Sequence, residues 1–468
     1  MYDTIIIGGG PAGYMAAERL GHAKRKVLLI EEDKLGGVCL NVGCIPTKTL
    51  LNSAKLYLHA KEAEKYGVKA ESVSYDWNVI QEWKTDVVNR MMSGIEMQMK
   101  RFGVEVINGR GEILSPPSVE KPARIRSITK DGAAAEHEGK TVMVCTGSSS
   151  VIAPIPGAEN NPLAVDSTGL LSVETVPERL IVVGGSVIAV EFAGLFSALG
   201  SEVTQVLRRD EIMPFMDREQ APLLRRGLKG VDFKLGSKFE KIEGSSLYYT
   251  DKKGNAQKKE ADLILMATGR EPVLTGWGAE AAGVETGAKG VAVDDRMRTN
   301  VKGIWAAGDL TGKSMLAHSA YRMAEVAVVD ILAFLDGNGS EAGGSWRMRY
   351  DSIPWNIYGL TEAAGVGITE QEAEAKGIAI LKASLPMRVS GRFVAENTIM
   401  GAGAVKVIAG AENRRILGVH AVGAYATEFI WGGAALIERE FRIEDVKQLI
   451  FPHPSVCELI RDAVWALE

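Results

Sequence analysis

The sequence predicts an α/β fold in which two doubly wound parallel sheets are followed by a C-terminal α+β domain. A unit made of a strand, a glycine-rich turn, a helix and a strand begins at residue 4 and recurs from residue 180. Each unit is followed by a short apolar strand that ends in small residues, at 142–147 and at 263–269. Beyond residue 345, two short apolar strands precede two helices, which indicates a separate α+β domain.

The first unit has an apolar strand at 4–7, the turn Gly8-x-Gly10-x-x-Gly13 and a helix to about residue 20, followed by a second strand at 27–30. This order of elements forms the βαβ unit that begins a Rossmann-like nucleotide-binding sheet. Glycines in such a turn let the backbone approach a pyrophosphate at the start of the helix. Because the motif stands in this context, we expect a bound nucleotide rather than a turn without a ligand.

The second unit repeats the pattern with a strand at 180–183, the turn Gly184-x-Ser186-x-x-Ala189 and a second strand at 203–206. Corresponding positions of the two units, such as Gly8 and Gly184, are separated by the same number of residues throughout the motif. We therefore predict two nucleotide-binding domains, with the second inserted into or following the first.

The overall composition limits the classes of partner. The chain has 468 residues and a formal net charge of −5, which does not favour nucleic acid or an anionic membrane as a partner. No run approaches the ~20 apolar residues of a membrane span. The N-terminus enters a strand without a basic region, so we expect that a signal peptide is absent or was removed before this numbering begins. Four cysteines are too few for a disulfide framework, and they favour a reduced, cytoplasmic enzyme in which any disulfide is catalytic.

Two of the cysteines, Cys39 and Cys44, lie close together and are followed by Pro46. They could be two buried thiols or half of a metal site, but a metal usually needs three or four ligands and no second Cys/His cluster lies nearby. Five residues of regular helix rise about 7.5 Å, whereas the Cα atoms of a disulfide lie within about 7 Å. A disulfide here therefore requires a distorted turn. Pro46 fits the first turn of a helix, whose dipole favours a thiolate, as in a redox-active disulfide.

Residues 36–48, GGVCLNVGCIPTK, resemble the active-site signature of the flavin disulfide reductases, and within that family the dihydrolipoamide dehydrogenases. Residues 304–309 resemble the second flavin motif of the family, in which the aspartate binds the ribityl chain. Residues 316–318 resemble the dihydrolipoamide dehydrogenase form of the helix start that follows. His453, with Glu458 five residues later, resembles the C-terminal His-Pro motif of the family.

The resemblance implies an enzyme that oxidises protein-bound dihydrolipoamide to lipoamide and reduces a nicotinamide nucleotide. It implies one non-covalent FAD per subunit, NAD or NADP, and a homodimer that serves the lipoyl domains of a 2-oxoacid dehydrogenase or glycine cleavage complex. His453, oriented by Glu458, would deprotonate a substrate thiol at the disulfide of the other subunit. The substrate thiolate would attack Cys39, and Cys44 would pass the electrons to the flavin.

The resemblance also implies four domains and a set of binding residues. The domains are an FAD-binding domain at 1–150, an NAD(P)-binding domain at 151–270, a central domain that completes the FAD site at 271–345 and a dimerisation domain at 346–468. Residues 337–345 are rich in glycine and are predicted to be a flexible linker. Lys48 is expected beside the flavin, with Glu191 as its ion partner, and no metal is expected. The expected cofactor-binding residues are Gly8, Gly10, Gly13, Glu31, Lys48, Gly111, Thr146, Gly147, Asp309, Ala317, Gly184, Ser186, Ala189, Glu191, Leu207, Arg208 and Gly269.

The end of the second strand of the second unit departs from the NAD-linked members of the family. These carry an acidic residue there to hold the ribose hydroxyls, whereas this chain has Leu207, followed by Arg208 and Arg209. An arginine can pair with a 2′-phosphate, and Ala189 replaces the third glycine, as in NADP-linked relatives. We therefore expect measurable NADP(H) activity. The alternative is a solvated basic pair beside the acids at 210–211, with NAD held by other contacts.

Other reductases of the family are the main alternatives. A glutathione reductase usually has a second lysine just before Lys48, and mercuric and large thioredoxin reductases have a C-terminal cysteine pair that this chain lacks. An NADPH-dependent disulfide reductase of the glutathione or mercuric type is the alternative enzyme, and a binding subunit docked on a multienzyme core is the alternative outside catalysis. Gly359 and Thr361 replace a Thr and a Pro of the family's interface strand, which puts the geometry of that strand in question.

Overall fold

The computed structural model describes residues 1–337, 344, 346–398 and 401–467. The linker predicted at 337–345 therefore lies, apart from two glycines, outside the described residues. In the described part of the chain, no helix is both long enough and apolar enough to cross a bilayer.

The helices and strands are numbered in chain order. The α-helices are α1 (Pro11–His22), α2 (Gly37–Val42), α3 (Cys44–Lys61), α4 (Trp77–Arg101), α5 (Ser167–Leu170), α6 (Val187–Ala198), α7 (Ala221–Gly227), α8 (Ala279–Ala282), α9 (Ala317–Leu335), α10 (Glu370–Ala375), α11 (Gly391–Asn397), α12 (Ala426–Glu438), α13 (Ile443–Val446) and α14 (Glu458–Trp465). Short 3₁₀ helices occupy Ala63–Tyr66, Gly308–Thr311 and Met387–Val389. The strands are β1 (Tyr2–Ile7), β2 (Val27–Glu31), β3 (Glu105–Ser115), β4 (Ala123–Thr129), β5 (Ala134–Val144), β6 (Ser148–Ser150), β7 (Ala164–Val165), β8 (Arg179–Val183), β9 (Glu202–Val206), β10 (Val231–Lys234), β11 (Lys238–Glu243), β12 (Ser246–Thr250), β13 (Ala256–Glu260), β14 (Leu263–Met266), β15 (Arg270–Pro272), β16 (Thr286–Gly287), β17 (Gly290–Val291), β18 (Ile304–Ala306), β19 (Trp355–Ile357), β20 (Ala363–Gly367), β21 (Ile380–Pro386), β22 (Ala404–Gly410) and β23 (Ile416–Val422).

The chain forms two compact units, each assembled from three stretches. Unit 1 comprises Met1–Thr49, Gln81–Val151 and Gly269–Met348, and unit 2 comprises Leu50–Ile80, Ile152–Thr268 and Arg349–Glu468. The stretch with the second glycine turn thus interrupts unit 1 in the chain, as one of the two predicted arrangements requires. The finer division into four domains stays a prediction.

The main sheet of unit 1 contains the first βαβ unit. Its parallel strands lie in the order β3, β2, β1, β5 and β18, and β4 pairs antiparallel with the far ends of β3 and β5. The central strands are buried on both faces, which is why 4–7 and 27–30 are almost uninterrupted apolar runs. Isoleucines and valines of β1 and β5 pack with Trp277 and Leu310 in one core.

Unit 2 contains the second βαβ unit and the C-terminal domain. A parallel sheet has the order β10, β9, β8, β14 and β7, and the antiparallel sheet β11–β12–β13 follows β10 in the chain. The C-terminal sheet is antiparallel, in the order β19, β20, β23, β22 and β21, and α12 and α14 pack on it. The predicted helices at 426–440 and 456–467 are confirmed, with shorter ends at Glu438 and at 458–465.

Candidate active site

The glycine turn of the first βαβ unit is built so that backbone, not side chain, meets a ligand. Gly8 has φ +100, and a Cβ at Gly13 would lie 1.8 Å from the Gly8 carbonyl oxygen, so only glycine fits there. Gly10 is the N-cap of α1, and within the described residues no side chain caps this helix. The amides at the start of α1 are therefore presented to an anion, which fits the pyrophosphate of FAD.

Glu31 lies at the end of β2, directly behind this turn. Its carboxylate accepts hydrogen bonds from the amide of Gly9 at 2.5 Å and from the amide of Asp33 at 2.8 Å. Burial raises the pKa of Glu31. A cavity of about 500 Å³ opens beside Glu31 and is also lined by Lys34 and Asn108. These groups fit the ribose and adenine end of a dinucleotide.

Asp309 lies in the 3₁₀ helix Gly308–Thr311, just after β18. The hydroxyl of Ser148 donates to its carboxylate at 2.6 Å, and the guanidinium of Arg270 donates in turn to Ser148, to the hydroxyl at 2.9 Å and to the carbonyl oxygen at 2.6 Å. Burial raises the pKa of Asp309. Ala317 is the first residue of α9. The carboxylate is thus held in one position, as an aspartate that binds a ribityl hydroxyl requires.

Cys39 and Cys44 lie at the junction of the short helix α2 and the longer helix α3. Cys39 is in α2, Gly43 leaves the helical conformation with φ −141 and ψ −108, and Cys44 is the first residue of α3. This is the distorted turn that a disulfide requires. Both cysteines are in the reduced form here. Their mutual hydrogen bond, together with burial, raises the pKa of Cys39, while the positive charge of Lys48 acts in the opposite direction.

His453 and Glu458 form a side-chain pair at the start of α14. Nδ1 of His453 lies 3.0 and 3.1 Å from the two carboxylate oxygens of Glu458. The amide of Ser455 also donates to Glu458 at 2.9 Å and lowers the pKa of its carboxyl. Glu458 is nearly buried, whereas the imidazole is 80% exposed. The imidazole is therefore oriented at Nδ1 and presents its other nitrogen outward.

The second glycine turn repeats the geometry of the first. Gly184 has φ +132, and a Cβ there would lie 2.2 Å from the Ala267 carbonyl oxygen. Ser186 is the N-cap of α6, and within the described residues no side chain caps it. Glu191 is buried in α6, and its carboxylate accepts from the amide of Tyr358 at 2.9 Å. The start of α6 thus also fits a pyrophosphate.

Leu207 occupies in this unit the place that Glu31 has in the first. A Cβ at Gly185 would lie 2.6 Å from a methyl group of Leu207, just as one at Gly9 would meet the side chain of Glu31. Leu207 is only 2% exposed, in a core with Ile212 and Val190.

The charged residues that follow Leu207 differ in whether they form ion pairs. Arg208 and Arg209 are exposed, and neither has an ion pair with another described residue. The guanidinium of Arg208 lies 6.0 Å from the ring centre of Phe239. The adjacent acids are already paired, Asp210 with Lys252 at 2.8 Å and Glu211 with Arg225 at 2.7 Å.

The other expected residues of unit 1 lie in or just after strands, except Lys48, which lies in a helix. Gly147 follows β5, and Thr146 beside it donates to the Val273 carbonyl at 3.1 Å. Gly111 lies within β3, where a Cβ would come within 3.2 Å of Ile7. Lys48 is in α3, and its pairing with Glu191 stays a prediction.

Sequence reasoning did not identify the two residues that hold Asp309. Ser148 directly follows Gly147, after β5, and Arg270 directly follows Gly269, after β14. The strands that begin with these two residues, β6 and β15, pair antiparallel. The available signal was the recurrence, in both units, of an apolar strand followed by a Thr-Gly pair.

Comparisons with known proteins agree with this geometry. Residues 2–324 match the family model described as pyridine nucleotide-disulphide oxidoreductase, and residues 353–464 match its dimerisation domain. The chain is 36% identical to the dihydrolipoamide dehydrogenase of Chaetomium thermophilum over 99% of this chain and 90% of the relative. It is 33% identical to a dihydrolipoyl dehydrogenase of Bacillus subtilis over 98% of this chain and 97% of the relative.

Solved structures of two related proteins also match this chain over its whole length. LpdA from Mycobacterium tuberculosis superposes with a TM-score of 0.87 at 27% identity, over 100% of this chain and 99% of that chain. The HOCl-induced flavoprotein disulfide reductase RclA from Escherichia coli superposes with a TM-score of 0.83 at 27% identity, over the whole of both chains. The predicted family, fold class and cofactors, FAD and NAD(P), are confirmed. The chain belongs to the pyridine nucleotide-disulphide oxidoreductase family.

Proposed function

We propose that this protein is a dihydrolipoamide dehydrogenase that oxidises the dihydrolipoamide of a lipoyl domain and reduces a nicotinamide nucleotide. One observation carries the proposal: two thiols hydrogen-bonded across a broken helical turn lie in the same compact unit as a glycine turn and an aspartate suited to FAD. FAD, when bound, supplies a two-electron acceptor for the dithiol and a hydride donor for the nicotinamide.

The proposed partners are the lipoyl domains of a 2-oxoacid dehydrogenase or glycine cleavage complex. The proposed compartment is the cytoplasm, which keeps thiols reduced.

The exchange reaction uses three side chains. His453 takes the proton of one substrate thiol, and the resulting thiolate attacks Sγ of Cys39 in the oxidised enzyme. The Cys39–Cys44 bond breaks, and its electron pair remains on Cys44 as a thiolate. The second substrate sulfur then closes the lipoamide disulfide, and Cys39 leaves with an electron pair and takes up the second proton. The substrate loses two electrons and two protons. The enzyme disulfide becomes the thiol of Cys39 and the thiolate of Cys44, with the first proton on His453.

The matched dimerisation domain supports a homodimer in which His453 acts on the cysteine pair of the other subunit. The exposure of the imidazole, combined with its hydrogen bonds to Glu458, favours this arrangement, because an oriented base that faces outward needs a second surface to act on.

Replacing His453 by Gln should lower kcat about 10²- to 10⁴-fold, the usual contribution of a general base. Analytical ultracentrifugation should still find a dimer, and full lipoamide activity in a monomer would contradict the proposal.

A steady-state assay separates this function from its alternatives. The FAD-loaded enzyme is given dihydrolipoamide with NAD⁺ or NADP⁺, and glutathione disulfide with NADH or NADPH. We expect turnover of the lipoyl substrate and its loss in the Cys44→Ser variant, with Cys457→Ser as the matched control that retains activity. Preferential turnover of glutathione disulfide would support the alternative reductase, and the absence of any turnover with retained binding to an acyltransferase core would support a binding subunit.

A second proposal concerns the nicotinamide nucleotide: we propose that NADP(H) is used at a measurable rate. Leu207 places an apolar side chain, where the first unit has the carboxylate of Glu31, behind the second glycine turn. The acids next to Arg208 and Arg209 are engaged by Lys252 and Arg225. The two arginines therefore keep their charge for an outside anion. The alternative, a solvated basic pair with NAD held by other contacts, predicts the same exposed arginines, and the variants below separate the two. A 2′-phosphate is the anion that an NADP ribose brings to this position.

The Arg208→Ala variant tests this assignment. A charge-assisted hydrogen bond contributes about 1.5–3 kcal/mol, so kcat/KM for NADP(H) should fall roughly tenfold or more while that for NAD(H) changes little. Arg226→Ala is the matched control, since Arg226 is an exposed arginine of α7 outside the second glycine turn. An enzyme that uses NAD efficiently and NADP not at all, with no effect of Arg208→Ala on either, would contradict the assignment.

A further inference from the structure

The two glycine turns differ in how their first peptide is held. In the first unit, the amide of Gly9 donates to the carboxylate of Glu31 at 2.5 Å, so the peptide between Gly8 and Gly9 is anchored through its N–H. In the second unit, Leu207 stands in the place of Glu31. In the described part of the chain, no group accepts a hydrogen bond from the amide of Gly185. The second turn therefore lacks the anchor that the first turn has at this amide.

The second unit holds the same peptide through its carbonyl group. Nε2 of Gln205, in β9, donates to the carbonyl oxygen of Gly184 at 2.9 Å. The carbonyl of Gly184 and the amide of Gly185 belong to one planar peptide, so holding the oxygen also fixes the direction of the N–H. Gln205 therefore anchors from the carbonyl end the peptide that Glu31 anchors from the amide end in the first unit.

The two turns enter from their strands in the same way. The amide of Gly8 donates to the carbonyl of Ile30 at 2.8 Å, and that of Gly184 donates to the carbonyl of Val206 at 3.0 Å. Beyond this amide the two backbones diverge, with φ +100 at Gly8 and +132 at Gly184. The difference between the units thus lies on the carbonyl side of the glycine, where Gln205 binds.

Packing alone does not explain a glutamine at residue 205. Gln205 is fully buried, and among the described residues its Oε1 has no hydrogen-bond partner. Leu29 has the corresponding position in β2 and is also fully buried. A buried acceptor without a partner destabilises a fold, whereas leucine fills such a place without that cost. Because the Nε2 of this carboxamide is bonded to the turn, we infer that the glutamine acts on the turn.

We propose that Gln205 is a positioning residue of the nicotinamide-nucleotide site and fixes the first peptide of the second glycine turn by its hydrogen bond to the Gly184 carbonyl. This proposal deepens the proposed function and rests on it for the nucleotide that binds at this turn. Because Gln205 is fully buried, it acts through the peptide and not on the nucleotide. With the anchor at the oxygen, the N–H of Gly185 remains available to an acceptor on the nucleotide.

Calorimetric titration of the FAD-loaded enzyme with ADP-ribose tests the proposal. Gln205→Met removes the donor and keeps the length of the side chain, so the dissociation constant should rise about three- to tenfold, the effect of one lost hydrogen bond. Gln205→Leu is a second variant, and the FAD content and melting temperature of both show whether they fold. ADP-ribose has no 2′-phosphate, so the result does not depend on the assignment of Arg208.

A substitution at Leu207 provides a measurement that a merely structural role of Gln205 would not change. The carboxylate of Leu207→Glu should accept from the amide of Gly185 and anchor the peptide from its other end, as Glu31 does in the first unit. In the Leu207→Glu background, Gln205→Met should therefore raise the dissociation constant of ADP-ribose less than about twofold.

The matched control is Gln220→Met. Gln220 is a buried glutamine of the same unit, and within the described residues its carboxamide has no hydrogen-bond partner. Its replacement should leave the affinity for ADP-ribose unchanged.

Three results would overturn the proposal: an unchanged dissociation constant in Gln205→Met, an equal rise with and without Leu207→Glu, or a failure of the wild-type enzyme to bind ADP-ribose. If both Gln205 variants fail to fold, the residue is structural and the proposal is overturned as well. Binding of ADP-ribose requires no disulfide exchange. A wild-type enzyme that binds ADP-ribose but does not turn over lipoamide would therefore reject the proposed function without deciding this proposal.

Discussion

In the first βαβ unit, the strand β2 ends in Glu31, whose carboxylate binds the amide of Gly9 behind the glycine turn. In the second, β9 is followed by Leu207, whose methyl group lies in the same place against Gly185. The glycine-turn frame is thus the same in both units, but at this position the first unit has a carboxylate and the second has a methyl group.

The chain that follows the second strand differs as well. After β2 it leads into α2 and the two thiols, and after β9 it presents Arg208 and Arg209. The comparison teaches that the βαβ frame determines where a dinucleotide lies, whereas the residues added after the second strand determine what the site recognises and which reaction it performs.

Replacing either of the two cysteines that follow the first βαβ unit should have the largest effect on activity. In Cys44→Ser the enzyme cannot form a disulfide, so oxidation of dihydrolipoamide should be abolished, together with the long-wavelength absorbance of a thiolate against flavin on reduction. Cys39→Ser should also abolish turnover, but it leaves that absorbance possible because Cys44 remains. Full lipoamide turnover by Cys44→Ser would remove the disulfide mechanism.

The next largest effect is expected at the third glycine of the turn, where the first unit has Gly13 and the second has Ala189. Gly13→Ala places a Cβ 1.8 Å from the Gly8 carbonyl oxygen, so the backbone must move, and FAD affinity should fall about a hundredfold. The second unit already has Ala189 at this position, and Ala189→Gly should change nicotinamide affinity little. Flavin absorbance of the purified variants measures the first effect, and coenzyme titration measures the second. Equal FAD content in Gly13→Ala and wild type would show that the two turns do not differ in this way.

A smaller effect is expected from making the second unit resemble the first. Leu207→Glu should place a carboxylate where Glu31 stands in the first unit, and there it would repel a 2′-phosphate and accept from ribose hydroxyls. The ratio of kcat/KM for NAD to that for NADP should rise about tenfold. Leu207→Met is the control for disturbance of the surrounding core. A ratio that is the same in both variants would mean that this position does not contact the ribose.

Local patterns predicted the frame well because they depend on neighbouring residues. The apolar runs, the glycine turns and the broken helix between Cys39 and Cys44 each follow from rules that act over a few positions. Contacts between distant segments were not predicted, such as the bond between Tyr14 and Tyr321 or the clamp of Ser148 and Arg270 on Asp309. Such pairs depend on the three-dimensional packing of elements, for which a single sequence carries no periodic signal.

The sequence did not predict which residues pair with Asp210 and Glu211, the acids beside Arg208 and Arg209. That question depended on side-chain rotamers and on Lys252 and Arg225, which come from other elements.

The central proposal, that Arg208 can hold a 2′-phosphorylated ribose so that NADP(H) is used at a measurable rate, is tested most directly by binding without chemistry. The FAD-loaded dimer is titrated calorimetrically with ADP-ribose and with 2′-phospho-ADP-ribose at low and at high salt. The account predicts tighter binding of the 2′-phosphorylated ligand at low salt, with an advantage that shrinks as salt screens the arginines and disappears in Arg208→Ala but not in Arg226→Ala. Equal or weaker binding of 2′-phospho-ADP-ribose at low salt would contradict it.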